Sequence, residues 1–183
     1  MSHLVDADRA KHLTGHMIPI LVSARLPPSC HPLLALLKLH QSLLVSEFAS
    51  SDQISQERLD ESIRTAAKHV AGLSAVLEEG HPVRGVALAE LGKLLAVDEP
   101  SPSSPPQTTS FPPSGPTRTK MAYETLVQAR NALLVGFGRE NEGGEVGREV
   151  RESIVALEKE LGVWVSGVRN VLEDTVVRAR GRA

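Results

Sequence analysis

The sequence predicts an all-α protein built from antiparallel helical hairpins, with about five main helices and a proline-rich insertion. Three observations lead there. The chain is 41% hydrophobic but only 3% aromatic, so its core must be aliphatic, built from Leu, Val and Ala. Packed helices suit such a composition better than strands, which lean on aromatic and β-branched residues. Apolar residues recur at steps of three and four over long stretches, the period of one helix face. Glycine and proline fall between those stretches, where helices start and stop.

Residues 1–30 form an N-terminal arm with no clear period, ended by Pro27 and Pro28. From His31-Pro32 the pattern turns helical, and LLALLKLHQSLLVSEFA is apolar nearly all round, as in a buried helix. Ser50, Ser51 and Asp52 break it. The next helix carries Leu59, Ile63, Ala66, Val70, Leu73 and Leu77 as one stripe, with Gly80 as its expected stop. A third helix opens at His81-Pro82 and runs to about Val97. Proline is tolerated at a first helical position, and His81 is its capping neighbour. His31-Pro32 and His81-Pro82 lie fifty residues apart, and each opens a leucine-rich helix, as in a repeated hairpin.

In this third helix Leu88, Leu91, Gly92 and Leu95 have the spacing of the first helix of a tetratricopeptide-type repeat. There the glycine lets a second helix come close. That second helix is expected from about Thr119 to Phe137, with Ala122, Leu126, Ala129, Leu133 and Phe137 on one face. Between the two, residues 98–118 hold seven of the twelve prolines, a composition that builds no core. Lengthening a loop from about 4 to about 20 residues costs only about 1.4 kcal/mol, so the insertion is compatible with hairpin pairing. The last helix carries Val150, Ile154, Leu157, Leu161, Trp164, Val168 and Val171 in a heptad stripe. Trp164 is expected on its buried face. Gly162 and Gly167 lie beside the stripe, where close approach of a neighbouring helix would offset their low helix propensity.

Reacting groups are scarce. His12 and His16 have a metal-compatible spacing near Asp6 and Asp8, but a polar terminus explains them as well. Cys30 beside His31 lacks an orienting third group and reads as a structural thiol. Gly136-Phe137-Gly138 follows a helix rather than a strand, so it is a turn and not a phosphate loop, with Glu140 and Glu142 solvated. Arg178, Arg180 and Arg182 form a short basic tail that reads as a solvated terminus. A net charge of −2 gives no footprint for nucleic acid. A single cysteine excludes an internal disulfide and a thiolate zinc site, and suggests a cytoplasmic or nuclear protein. No apolar run is long enough to span a membrane. The expectation is no catalytic, cofactor-binding or metal-binding residue and no cofactor.

The stretches GHPVRGVALAELGKLLAVDEP and KMAYETLVQARNALLVGFGRENE resemble the C-terminal helical domain of SET-and-MYND-domain proteins, especially fungal SET-domain proteins. His81, Pro82, Leu91, Gly92, Lys93 and Leu94 match the first helix of that region. Ala129, Leu133, Phe137 and Gly138 match the second, and LPPSCHPLLALLKLHQSLL resembles the preceding helix. Family enzymes are S-adenosylmethionine-dependent protein-lysine methyltransferases. The Asn-His-Ser-Cys motif and the zinc cysteines of their catalytic parts are missing from this chain, so no catalytic residue carries over. The resemblance implies a TPR-like domain over 31–183 that binds a protein partner. The alternatives are a portion of a SET-type methyltransferase whose catalytic part lies elsewhere, and a protein that oligomerises through its last helix.

Overall fold

The computed structural model describes residues 2–50, 56–98, 111–112 and 115–180; side chains are described for 6–47, 56–98, 111–112 and 115–162. Six helices follow one another: α1 (Ser2–Ser23), α2 (His31–Ser50), α3 (Gln56–Ser74), α4 (Pro82–Leu95), α5 (Pro116–Gly136) and α6 (Gly144–Arg180). There is no strand among the described residues. Each helix packs against the next in sequence, which makes an all-α array of antiparallel neighbours. The pairing is visible in side chains. Thr14 meets His40 while Lys11 meets Glu47, and His40 meets Glu61 while Glu47 meets Arg58.

The main core lies where α3, α4, α5 and α6 meet. Leu59, Ile63, Leu126, Leu133 and Val150 are fully buried there. A smaller cluster of Ile18, Leu33 and Leu37 joins α1 to α2, with the half-buried Cys30 packed against it.

The N-terminal arm is a correction. It is helix α1 for most of its length, despite Pro19 within it. Proline removes one backbone donor and crowds the preceding turn, yet Thr14 and Ile18 dock on α2 and hold the helix in place. Helix α2 is less enclosed than its sequence predicts, with Leu39 and Val45 exposed at 48% and 39%. Helix α3 ends at Ser74, so Leu77 lies in the following turn and Gly80 does not terminate the helix. Gly80 has φ +88, and a Cβ there would sit 2.6 Å from Val135, so the turn into α4 requires glycine.

Helix α5 begins at Pro116, earlier than the sequence suggested, and Arg118 is only 1% exposed. The Arg118 Nε donates to the Leu95 carbonyl at 3.2 Å, closing the C-terminal end of α4. Phe111 is half-buried against the main core, so the C-terminal end of the 98–118 stretch is part of the packed structure. Residues 99–110 and 113–114 lie outside the described residues. On α6 the stripe is buried at Val150, Ile154 and Leu157. Gly162 departs from the expected close approach, because a Cβ there would meet no heavy atom within 4 Å. The side chains of Trp164, Val168 and Val171, Gly167 and the Arg178–Arg182 tail lie outside the described residues.

Candidate functional site: a groove between α2 and α4

The helices opened by the two His-Pro pairs, α2 and α4, do not touch through their backbones; both pack on α3. At the start of α4 the His81 ring accepts a hydrogen bond from the Val83 N–H at 3.2 Å, and Pro82 occupies the first helical turn. Helix α4 is fixed on its far side by α5. A Cβ on Gly92 would lie 2.6 Å from Leu126 Cγ, and one on Gly85 2.9 Å from Leu133 Cγ. Seven residues separate the two glycines and seven separate the two leucines. The helices therefore run antiparallel in close contact, with Leu88, Leu95, Ala122 and Ala129 buried alongside and Leu91 half-buried. These residues position the site without lining its opening, apart from Pro82, which lines one of its compartments.

What spans the gap between α2 and α4 is polar. The Lys38 ammonium donates to both carboxylate oxygens of Glu90 at 2.5 Å, and the Gln41 amide nitrogen donates to the same carboxylate at 3.2 Å. On one side of this bridge lies a cavity of about 490 Å³ lined by Gln41, Ser42, Val45, Leu94 and Val97. On the other lies a second of about 490 Å³ lined by His69, Pro82, Val83, Val86 and Phe137. Both share Lys38 and Glu90, so they are two compartments of one groove, and α3 reaches the second through His69. Each is of the size that holds small ligands or a few residues of peptide. Val83 and Phe137 remain exposed at its rim, at 51% and 47%. Lys93, at the edge of the first compartment, is paired with Glu149 at 2.5 Å across to α6, and that cation holds the Glu149 carboxyl below its ordinary range.

Two buried polar atoms under the groove have no hydrogen-bond partner: Gln41 Oε1 and His69 Nδ1. Their residues are 3% and 8% exposed. Glu90 can only accept, so it fixes the Gln41 amide with nitrogen inward and leaves the oxygen orphaned. Burial, and then the Lys38 cation, lower the His69 pKa from 6.5, with Glu90 opposing; the ring is neutral at pH 7. An orphaned buried polar atom costs about 1–3 kcal/mol. None of Lys38, Gln41, His69 and Glu90 stood out in the sequence. His69 carried one signal, a polar ring in helical register with Ser62, Ala66 and Leu73 on an otherwise enclosed face.

A third cavity of about 360 Å³ lies between α1, α2 and α3, lined by His12, His16, His40, Glu47 and Glu61 among others. The His12 and His16 rings stack edge to face at 4.8 Å. Among the described residues no three His, Cys, Asp or Glu side chains converge to hold a metal. Thr14 Oγ1 lies 2.8 Å from His40 Nδ1, and His40 Nε2 lies 3.3 Å from Glu61. A hydroxyl, an imidazole and a carboxylate in series are the parts of a nucleophile relay. Thr14 is only 4% exposed, however, and its hydroxyl also lies 3.0 Å from the Ala10 and Lys11 carbonyls. No substrate carbon can reach it, so the chain of bonds clamps α1 to α2 and α3. Cys30 and His31 form no such pair, and Glu142 accepts from Arg151 at 2.7 Å. No helix among the described residues is long and apolar enough to cross a membrane. No protein-family model matches the chain, and no curated protein matches it in sequence.

Proposed function

We propose that this protein is a non-catalytic helical-repeat module that binds another protein in the α2–α4 groove. The observation that carries this reading is the groove itself. It is an apolar cleft of two compartments between the equivalent helices of successive hairpins, crossed by Lys38–Glu90 and rimmed by Val83 and Phe137. Exposed apolar side chains gathered in a concave surface are the usual mark of a binding face. The enclosed position of Thr14 favours a non-catalytic role. The resemblance to the C-terminal helical domain of SET-and-MYND-domain proteins supports the same role, because that module carries no catalytic motif. A cytoplasmic or nuclear setting and a protein partner rather than nucleic acid go with this reading.

A random peptide library displayed on phage tests it. Enriched peptides should bind the pure protein and lose binding to Lys38→Glu, which sets two carboxylates against each other across the groove. Failure to enrich any peptide, or peptides indifferent to Lys38→Glu, would overturn the reading.

A further inference from the structure

We infer that the groove takes an extended, uncharged, apolar peptide segment of its partner, whose free backbone N–H groups approach Gln41 and His69 on either side of the Lys38–Glu90 bridge. This deepens the proposed function and rests on it. Charge is the first argument. Lys38 and Glu90 satisfy each other, and Lys93 is held by Glu149, so a charged ligand must break a pair to find a counterion. Apolar side chains, by contrast, meet Val45, Leu94 and Val97 in one compartment and Val83, Val86 and Phe137 in the other.

The orphaned atoms are the second argument, and they select the backbone form. Gln41 Oε1 is an acceptor beside the first compartment, and with its proton on Nε2 the neutral His69 ring has its unpaired Nδ1 as an acceptor beside the second. Both atoms are shielded as they stand, so the ligand must draw each one to the opening by a side-chain rotation. A helical ligand has already used its backbone N–H groups internally. An extended chain has not, and along it equivalent groups recur about every 6.8 Å on one side. Such a segment can place apolar side chains in both compartments and donate on both sides of the bridge.

The test uses peptides enriched on the full chain from a random heptapeptide display library, then synthesised with a fluorophore and titrated by anisotropy. They should be uncharged, with apolar residues at alternate positions. Affinity should fall about tenfold for His69→Leu, for Gln41→Met, and for peptides N-methylated at one central amide, the loss of one hydrogen bond. The His69→Leu protein should melt no lower than the parent, because the orphaned nitrogen has gone, so its loss of affinity is not unfolding. Gly162→Ala should bind as the parent. Peptides that bind only with Lys38 intact but carry charge, or an i, i+3, i+4 apolar pattern, or tolerate N-methylation, would overturn the extended-segment inference while leaving the groove as the binding face. Absence of groove-dependent peptides would overturn both.

Discussion

Alanine at Gly92 and alanine at Gly162 should shift stability in opposite directions. Both glycines lie inside helices, so each substitution gains about 1 kcal/mol of helix propensity. At Gly162 the new methyl meets no heavy atom within 4 Å, so no overpacking offsets the gain. At Gly92 the methyl lands 2.6 Å from Leu126 Cγ, 2.7 Å from its Cδ2 and 3.3 Å from its backbone nitrogen. Leu126 is fully buried and its branch point, not a flexible tip, is what is struck. Overpacking of this kind costs about 1–3 kcal/mol, so the net at Gly92 is a loss of about 1 kcal/mol. In a chain of this length 1 kcal/mol moves the melting temperature by about 2–4 °C. The two variants should therefore separate by about 4–8 °C, one above and one below the parent. Thermal melts followed by circular dichroism at 222 nm read this directly. If Gly92→Ala stabilised the protein as Gly162→Ala does, the close α4–α5 contact would be refuted.

Leu126→Ala should destabilise by about 2–5 kcal/mol, read by urea titration, because the leucine is wholly enclosed against α4. His69 gives a pH signature. Its folded pKa lies below 6.5, so the unfolded chain takes up the proton first. The stability contributed by the neutral ring is present above pH 6.5 and is lost as pH falls through the lowered folded value. His69→Leu should flatten the decline in stability between pH 7 and pH 5, and an unchanged slope would contradict the burial argument. Thr14→Val should weaken the clamp at His40 by about 1–3 kcal/mol, seen as faster proteolysis within α1 while the rest of the chain stays intact. The pure chain should transfer no methyl group from S-adenosylmethionine to protein lysines, and labelled product would refute the non-catalytic reading.

Periodicity made α3, α4, α5 and the first half of α6 legible, because Ile63, Leu88, Leu126 and Val150 each repeat at helical steps toward a single core. Helix α1 was obscured by Pro19 and by a buried face whose members, Thr14 and Ile18, are few and partly polar. Gly92 showed its role in sequence because a glycine amid leucines in a helix has little other use. Gly85 serves the same contact seven residues earlier but sits beside the helix start, where glycine is unremarkable. Gly162 resembled Gly92 in sequence and differs because a Cβ there would strike no heavy atom within 4 Å. The groove was least legible. Lys38 and Glu90 are 52 residues apart, and a lone lysine or glutamate on a leucine-rich helix carries no local sign that another helix stands across from it.

Among the described residues the backbone of helix α1 packs on α2 alone, whereas α3, α4 and α5 are each packed on both sides. In such a linear assembly, cooperative units detach from an end at a free energy below that of global unfolding. Amide deuterium uptake should accordingly reach α1 long before the α4–α5 pair. The face of α2 that α1 covers, with Leu33, Leu37 and His40, is distinct from the face that carries Lys38, Gln41 and Val45. Release of α1 would leave the ligand-facing side of α2 in place, so partner binding should slow exchange in α2, α3 and α4 with little effect on α1.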